Sequence, residues 1–531
     1  MRERERERVC VCEREMPTSA APHVEEAVLS ERGSRAIRPA LSYLGDFFTA
    51  ASDPFVAGQN EDGHVVMAVA ENKLSFDLVL RRMAEGEAKR GLDASQGEES
   101  KGVDSSREWI GGYGNMKGHE DFRGALAKLM SNYSAADVDP GWVTALAGAG
   151  AVLDALLWCL CGEGDAVLIP APYYPAFDND LTVRGGLVPV HAARKAEDGF
   201  RVTVEGLEEA YQAHCYSDTL HRMGGVPPPK VVLLTNPDNP LGTVMTREEL
   251  EAVVEWAATK DPPLHVVCDE IYACSVFRSS AQDHENVADE QGTGEEAKTS
   301  EVQSVANSGG RNGDVVVEGE GVDPAFESSA LPMLSDERWA HMRDKVHVVW
   351  GLSKDWSASG FRVGVLVSRF AKLNQALDNL SYFAAVSNHT QEVLTEVLSD
   401  AEFTEAYARE NRRRLRGQLE LLERGLADLG VPCVRARAAL FCFADFSAWL
   451  PEATPEAEAN LQGRIFRECK LLVTPGAACH APKPGHFRFC YAWHKDGPGA
   501  VAQVVKRLGE FLPRVAAENE KRAEVLKAAE A

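Results

Sequence analysis

Six short apolar runs alternate with amphipathic stretches along the central part of the chain, and this alternation limits the possible folds more than any other feature. Each run has the length of a buried strand rather than of a helix. The runs are residues 166–170, 187–190, 231–234, 265–268, 346–350 and 363–367. Strands separated by helices return to one sheet in the same direction, so the pattern predicts an α/β fold with a mostly parallel sheet between helices.

The C-terminal part of the chain has a different pattern. Residues 399–429 are rich in Glu, Arg and Leu and predict a long helix, whereas residues 438–444 and 487–491 have the character of strands. A chain of 531 residues also exceeds the usual size of one domain. We therefore expect a large α/β domain followed by a smaller α+β domain.

Three segments lack the composition of a packed domain. Residues 1–33 begin with alternating Arg and Glu, residues 93–107 are rich in Ser, Gly and acids, and residues 279–337 are acidic and polar. Such segments bury too little apolar surface to offset the entropy of ordering, so we expect a disordered tail and two disordered insertions. The predicted organisation is a tail at 1–33, an N-terminal segment at 34–75 that packs with the small domain, a large domain at 76–385 that contains both insertions, a small domain at 386–515 and a charged helical tail at 516–531.

Charge and cysteine usage narrow the possible partners and the compartment. The formal net charge of −25 at pH 7 argues against binding to nucleic acid or to an anionic membrane. No run approaches the roughly 20 apolar residues that a membrane helix needs. Several cysteines lie in apolar runs, where reduced thiols are expected, and Cys10 and Cys12 have no second Cys/His pair at metal-binding spacing. These features predict a cytoplasmic protein without a bound metal.

A lysine at the end of an apolar run is the first candidate for chemistry. Lys354 follows the run that ends in Trp350, within the sequence Trp-Gly-Leu-Ser-Lys-Asp-Trp. A lysine at a strand end in a closed pocket loses hydration, so its amine becomes neutral more easily and can form a Schiff base with an aldehyde cofactor. Arg362 follows in a Gly-flanked turn that suits an anionic group such as a phosphate.

Polar residues follow two other apolar runs. Asn239 lies in the turn Asn-Pro-Asp-Asn-Pro after the run 231–234, and Asp269 and Tyr272 follow the run 265–268. The carboxyl ends of parallel strands meet at one edge of a sheet. We therefore expect Asn239, Asp269 and Lys354 to meet in one crevice.

Taken together, these segments resemble the fold type I pyridoxal phosphate enzymes of the class I/II aminotransferase family, most closely the 1-aminocyclopropane-1-carboxylate (ACC) synthase-like branch. The resemblance extends from about residue 62 to residue 512. The segments that carry it, in the order of the family, are Ala70-Glu-Asn-Lys-Leu74, Pro172-Tyr-Tyr-Pro175, Ser353-Lys-Asp355, Gly360-Phe-Arg-Val-Gly364, Thr474-Pro-Gly476 and Phe487-Arg488. The resemblance implies the type I fold, in which a seven-stranded, mostly parallel sheet forms the large domain.

The resemblance also implies a role for each residue around the cofactor ring. Lys354 would carry pyridoxal 5'-phosphate, and Asp269 would keep the ring nitrogen protonated so that the ring accepts electrons. Tyr272 and Asn239 would bind the phenolic oxygen of the cofactor. Tyr174 would stack on the ring.

The phosphate and the substrate would be held by other residues. Ala149 and Gly150 lie at a predicted helix start, where backbone N–H groups bind anions, and Ser353 and Arg362 would complete the phosphate site. Arg488 matches the arginine that clamps the substrate carboxylate. In addition, Glu71 matches a substrate-binding position of the ACC synthases.

Several positions depart from the ACC synthase pattern. Gly150 and Gly351 stand where those enzymes usually have Thr and Ser, and Met116 stands at the position of a tyrosine. Tyr113 instead fits the aminotransferase spacing Tyr-x-x-x-x-Gly. In that role Tyr113 would reach the phosphate of a neighbouring subunit, which implies a homodimer.

These departures favour an aminotransferase that moves an amino group from an amino acid to a 2-oxo acid. The alternative is ACC synthase activity on S-adenosylmethionine, which Glu71 supports. A third possibility is a catalytically degenerate paralogue that only binds the cofactor. Retention of Lys354, Asp269 and Arg362 argues against it.

Overall fold

The computed structural model describes residues 29–37, 39, 41–89, 109–216, 227–277 and 326–530. The chain forms two units, Met1–Arg38 and Pro39–Ala531. In the first unit, the Ser30 side chain accepts a hydrogen bond from the Gly33 amide and begins a short helix, Glu31–Arg35. Most of the predicted tail and the whole predicted insertion at 93–107 lie outside the described residues.

The second unit contains all of the strands in the described part of the chain. They are β1 (Val65–Val66), β2 (Val143–Leu146), β3 (Ala166–Ala171), β4 (Val188–Ala193), β5 (Val231–Thr235), β6 (His265–Asp269), β7 (Val346–Gly351), β8 (Gly364–Ser368), β9 (Cys433–Val434), β10 (Phe441–Asp445), β11 (Leu471–Leu472), β12 (Thr474–Pro475) and β13 (His486–Cys490).

Seven of these strands form one sheet in the order β2-β8-β7-β6-β5-β3-β4. Only β8 runs against the others, because it pairs antiparallel with both β2 and β7. The predicted mostly parallel α/β sheet is therefore confirmed, and each of the six apolar runs forms a strand within it. The seventh strand, β2, was not among the predicted runs, since it has only four residues and contains Thr144.

Helices cover both faces of this sheet and continue into the C-terminal part. Side-chain caps define several starts; Thr246 and Glu249, for example, form a capping box. The α-helices of the second unit are Leu44–Ser52, Phe76–Lys89, Glu120–Ser134, Ala149–Leu160, Phe177–Thr182, Val204–Cys215, Arg247–Ala258, Ala371–Leu380, Asn388–Ser399, Ala401–Asp428, Pro455–Cys469 and Gly497–Glu530. No helix in these described ranges is both long enough and apolar enough to cross a membrane.

A second, smaller sheet follows in the C-terminal part. Its strands are antiparallel in the order β12-β13-β10-β9. Apolar residues of the helices Ala401–Asp428 and Gly497–Glu530 pack with this sheet into a separate core cluster. β1 pairs in parallel with β11, so the N-terminal segment of this unit joins the C-terminal part.

One predicted boundary is wrong. The insertion was expected to extend over residues 279–337, but residues 326–337 are packed: Leu331–Leu334 forms a 3₁₀ helix, and Phe326, Leu331 and Leu334 are buried. The apolar stretch Ala-Leu-Pro-Met-Leu at 330–334 is the signal for this packing, and the acidic composition of the wider window concealed it. Residues 279–325 lie outside the described ranges.

Candidate active site

Lys354 lies just beyond the carboxyl end of β7. All residues of β7 are buried, and the chain turns directly after it. The Lys354 amine donates a hydrogen bond to the Ala70 carbonyl oxygen. Burial lowers the pKa of this amine, and the charges of Cys490 and Glu71 only partly oppose the shift. The lysine therefore lies in a setting that favours its neutral, nucleophilic form.

Asp269 ends β6, the strand beside β7. Burial raises the pKa of its carboxyl group to about 7, although the charge of Lys354 acts in the opposite direction. The Ile271 amide donates a hydrogen bond to this carboxylate over 3.2 Å, and no other described residue donates to its side chain. A buried carboxylate with so few partners can accept a proton or an N–H donor from a bound group.

Asn239 links two further predicted site residues. Its side-chain amide donates a hydrogen bond to the Tyr272 hydroxyl over 3.3 Å, and its carbonyl oxygen accepts one from Arg488 over 2.8 Å. Asn239 follows β5, Tyr272 follows β6 and Arg488 belongs to β13. One hydrogen-bonded chain thus connects the large sheet with the small sheet.

Arg488 is almost completely buried, with a relative exposure of 1%. Its guanidinium donates to the Ala68 carbonyl and to the Thr474 hydroxyl in addition to Asn239. Its Nε atom is buried and has no hydrogen-bond partner among the described residues. This N–H group is therefore free to donate one hydrogen bond to a bound carboxylate.

A glycine and an arginine form a tight cradle at the end of β2. Gly148 has a φ angle of 98° and precedes the helix Ala149–Leu160. The first backbone N–H groups of a helix have no partner within the helix. A Cβ atom on Gly148 would lie 2.4 Å from Nη2 of Arg362, so glycine is required for this approach. The cationic guanidinium beside a helix N-terminus suits a phosphate.

Gly150 and Gly351, which depart from the ACC synthase pattern, differ in the space around them. A Cβ on Gly150 would meet nothing within 4 Å, so this position has room for the side chain that it lacks. A Cβ on Gly351 would lie only 2.7 Å from the Val363 carbonyl oxygen. The backbone around Gly351 would therefore have to shift to accept a serine.

Tyr174 and Glu71 complete the group around Lys354. Tyr174 is buried enough that the pKa of its hydroxyl is raised, and the charges of both Arg488 and Asp269 act on it. The Glu71 carboxylate accepts a hydrogen bond from the Ser359 hydroxyl. It also lies 3.5 Å from the Lys73 ammonium. Its charge also acts on the Lys354 amine, so this carboxylate lies within electrostatic range of the lysine that could carry a cofactor.

Tyr113 is not part of this group within the chain. Its side chain is 94% exposed. Ser353, by contrast, is buried in the turn before Lys354. Among the other predicted residues, those at or just after the carboxyl ends of strands in the large sheet are Tyr174, Asn239, Asp269, Tyr272, Ser353 and Lys354. Ala149 and Gly150 lie at the adjoining helix start, Arg362 precedes β8, Arg488 lies within β13, and Glu71 lies in the N-terminal segment.

No role was predicted for Asp355, which follows Lys354 directly. Burial raises the pKa of its carboxyl group to about 7, and the Ser275 hydroxyl and Cys274 amide donate to it. Asn411 and Tyr407 donate to its backbone carbonyl. These contacts fix the Lys354 turn, and the only sequence signal was the position of Asp355 beside the lysine.

Comparisons with known proteins agree with this geometry. The family model described as Aminotransferase class I and II matches residues 95–498, which is more than half of the chain. The chain is 34% identical over 465 residues to 1-aminocyclopropane-1-carboxylate synthase 11 of Arabidopsis thaliana, which covers 87% of each protein. It is 38% identical over 460 residues to 1-aminocyclopropane-1-carboxylate synthase 4 of Oryza sativa subsp. japonica, covering 85% of this chain and 83% of that protein.

Solved structures share the fold at lower identity. An aspartate aminotransferase double mutant from Thermus thermophilus has a TM-score of 0.64 and 19% identity, covering 91% of this chain and all of that one. The aspartate aminotransferase from Rhizobium meliloti has a TM-score of 0.64 and 17% identity, covering 93% and 99%. At these identities the structures establish the fold and not the reaction.

Proposed function

Because the chain belongs to the class I and II aminotransferase family and is a pyridoxal phosphate-dependent enzyme, we propose that it acts as an ACC synthase on S-adenosylmethionine. The carrying observation is the Glu71 carboxylate, whose charge acts on the Lys354 amine and which would give a cationic substrate an anionic partner. The two plant relatives bear the name of this activity. They support the reaction that the sequence analysis gave as its alternative.

The residues present fit the cofactor. The Lys354 amine is available for its aldehyde, the under-bonded Asp269 carboxylate suits a protonated ring nitrogen, and Asn239 and Tyr272 offer hydrogen bonds to a phenolic oxygen. The helix start after Gly148 and the Arg362 guanidinium suit the phosphate. When bound, pyridoxal phosphate accepts the electron pair that remains after the substrate loses its α-proton.

The chain's own groups would then position the substrate and move one proton. Arg488 binds the α-carboxylate through its unpaired N–H, and the Lys354 amine takes the α-proton onto Nζ. Glu71 holds the sulfonium end. The substrate forms a bond between Cα and Cγ while the bond between Cγ and sulfur breaks, so neutral methylthioadenosine leaves and the ring of the product closes.

Transamination is the second candidate, and the residues at positions 113 and 116 favour it. Met116 stands where the ACC synthases have a tyrosine, and Tyr113 has the spacing of the aminotransferases. In transamination, Lys354 Nζ would pass its proton on to the cofactor carbon. In the ACC synthase reaction, the proton would stay on Nζ while the substrate closes its ring. Both reactions begin with the same α-proton transfer, so the outcome depends on how the substrate's far end is held.

The experiment is to incubate the holoenzyme separately with S-adenosylmethionine and with alanine, glutamate and aromatic amino acids, and to quantify the products. We expect catalytic release of methylthioadenosine and ACC from S-adenosylmethionine. If amino acids instead yield 2-oxo acids and pyridoxamine phosphate while S-adenosylmethionine is inert, the transaminase takes the place of this proposal. If no amine changes the cofactor spectrum, the chain is a degenerate binding protein.

A charge-neutral variant tests the role of Glu71. Glu71→Gln should raise KM for S-adenosylmethionine about tenfold or more, because the sulfonium loses a charged partner. Glu520→Gln, at an exposed position near the end of the last helix, is the matched control and should leave KM unchanged. An unchanged KM in the Glu71 variant would remove the main support for this substrate.

We also propose a homodimer in which each subunit completes the other's phosphate site. Tyr113 is exposed, and Trp158 and Phe383, both exposed, line a cavity of about 650 Å³ beside Gly150. A hybrid of a Tyr113→Ala subunit with a Lys354→Ala subunit distinguishes the arrangements. If Tyr113 acts across the interface, the hybrid regains one intact site; if it acts within its own subunit, the hybrid stays inactive.

A cytoplasmic location remains a proposal as well. The ten described cysteines all have free thiols, as a reducing compartment would maintain. Fractionation of cells that express a tagged full-length chain would test it. Recovery in an organelle or secreted fraction would contradict it.

A further inference from the structure

A second cluster of ionisable side chains lies outside the candidate active site. Asp178, in the helix Phe177–Thr182, accepts a hydrogen bond from the Tyr173 hydroxyl on one oxygen and lies 2.6 Å from His480 Nε2 on the other. His191, on the edge strand β4, has its Nε2 atom 2.9 Å from the same hydroxyl. The His191 and His480 ring centroids are 4.2 Å apart.

Three side chains of this cluster carry atoms that can bind a metal ion. The ligand atoms of Asp178, His191 and His480 all lie within 4.8 Å of one another. Zinc binds imidazole nitrogen and carboxylate oxygen at about 2 Å, so donors on one ion stand at most about 4 Å apart. Small rotations of the three side chains would therefore bring them onto one ion. Two imidazoles and one carboxylate also match a common set of zinc ligands.

We propose that Asp178, His191 and His480 bind one transition-metal ion of the zinc class, with a fourth coordination position open to water. His191 is exposed, which gives the ion a path of entry. The ion would take the place of the hydrogen bond between Asp178 and His480, and His480 would bind the ion through Nε2 as a neutral imidazole whose proton lies on Nδ1. Tyr173 would remain hydrogen-bonded to the other Asp178 oxygen and hold the carboxylate in orientation.

The position of the cluster gives the ion a structural effect. His480 follows the 3₁₀ helix Gly476–Cys479 of the C-terminal part, whereas Asp178 and His191 belong to the large sheet and its helices. The Tyr173 amide already donates to the Cys479 carbonyl over 2.8 Å. A bound ion would therefore fasten the segment after β12 to the loop that carries Tyr174.

Metal binding can be measured on the holoenzyme without reference to turnover. The protein is treated with a chelator, dialysed into phosphate-free buffer and titrated with Zn²⁺ by calorimetry, with the melting temperature followed in parallel. We expect one ion per chain and a rise in Tm of a few degrees. The absence of saturable binding would overturn the proposal.

Variants identify the ligands. His191→Gln and His480→Gln should each weaken Zn²⁺ binding at least about tenfold, whereas His389→Gln, an exposed histidine elsewhere, should not change it. His191→Gln changes an exposed side chain, so it keeps the test valid if His480→Gln fails to fold. Equal affinity in His191→Gln and in the unaltered chain would contradict the assignment.

The absorption spectrum of bound Co²⁺ distinguishes binding at this cluster from binding at cysteine thiols. With Co²⁺ in place of Zn²⁺, imidazole and carboxylate ligands give visible ligand-field bands without a thiolate-to-cobalt charge-transfer band. Such a spectrum, lost in His191→Gln, would support the site. A charge-transfer band that persists in that variant would show that cysteine binds the ion and would overturn the proposal.

Discussion

The two ends of the large sheet differ in how many hydrogen-bond partners the protein gives to its polar side chains. β6 begins with His265 and ends with Asp269. At its beginning, His265 Nδ1 lies 2.9 Å from His347 Nε2, and His347 Nδ1 lies 2.9 Å from the Ser368 hydroxyl. At its end, the Asp269 carboxylate receives one hydrogen bond, from a backbone amide, among the described residues.

We propose that this difference marks the functional end of the sheet. Buried polar groups normally find partners within the protein, as His265 and His347 do. Asp269 accepts only one hydrogen bond among the described residues, and the Nε of Arg488 has none, so we propose that a ligand supplies the remaining partners. The comparison predicts that changes at the carboxyl ends of the strands alter catalysis, whereas changes at the opposite end alter stability.

The largest effect is expected from Lys354→Ala. Loss of the amine removes both the covalent attachment and the proton acceptor, so turnover should fall on the order of 10⁴-fold. Borohydride reduction of the unaltered holoenzyme, followed by peptide mapping, should place the pyridoxyl label on Lys354. A label on any other lysine would contradict the assignment.

The next effect concerns Asp269→Asn, which keeps the shape and removes the charge. Turnover should fall on the order of 10²-fold, because the ring nitrogen of the cofactor loses its charged partner. Cofactor content, measured by absorbance, should stay near that of the unaltered enzyme. Asp165→Asn, just before β3 where Asp165 pairs with Lys230, is the control and should change stability more than turnover.

Asp269→Asn also tests this comparison through its effect on the free energy of unfolding. The pKa of Asp269 is raised to about 7 by burial, so the folded chain loses stability as pH rises from the unfolded value near 4 to about 7. Without cofactor, Asp269→Asn should therefore have a higher free energy of unfolding at pH 8 than the unaltered chain. A lower value would mean that Asp269 stabilises the fold.

A smaller effect is expected from Arg488→Lys. Lysine cannot reproduce the planar fork, and losing one hydrogen bond to a charged group costs about 1.5–3 kcal/mol. KM for the substrate should rise about tenfold to a hundredfold. The control Arg464→Lys changes an arginine that pairs with Glu468 and Glu518 and should leave KM unaltered. If kcat falls while KM stays constant, Arg488 does not bind the ground-state carboxylate.

The smallest effect lies at the opposite end of the sheet. Burial and the charge of Lys345 lower the pKa of His265 to about 4, so the unfolded chain takes up a proton below about pH 6.5 and the folded chain does not. The free energy of unfolding should therefore fall by about 1–2 kcal/mol between pH 6.5 and 5 for this group. In His265→Gln, urea unfolding should show a shallower decline; an identical decline would exclude His265 as its source.

The parts of the fold and of the candidate site that have a clear local sequence pattern could be predicted from the sequence. β5, β6 and β7 are apolar runs bounded by polar turns, so their strands, their parallel direction and the meeting of Asn239, Asp269 and Lys354 at one edge follow from periodicity and topology. The strand β2 did not follow, because it has only four residues and leads directly into an apolar helix. The packed residues 326–337 did not follow either, because a short apolar stretch inside an acidic window carries too weak a pattern.

The sequence alone determined the fold class, the family and the residues that could serve the cofactor, because these depend on residue type and order along the chain. Only the tertiary structure decided which of their atoms are left without partners. The bond from Arg488 to Asn239, the burial that raises the pKa of Asp269, and the meeting of His480 with Asp178 join residues far apart in the chain. Desolvation and hydrogen-bond geometry arise from such packing, and a linear pattern does not contain them.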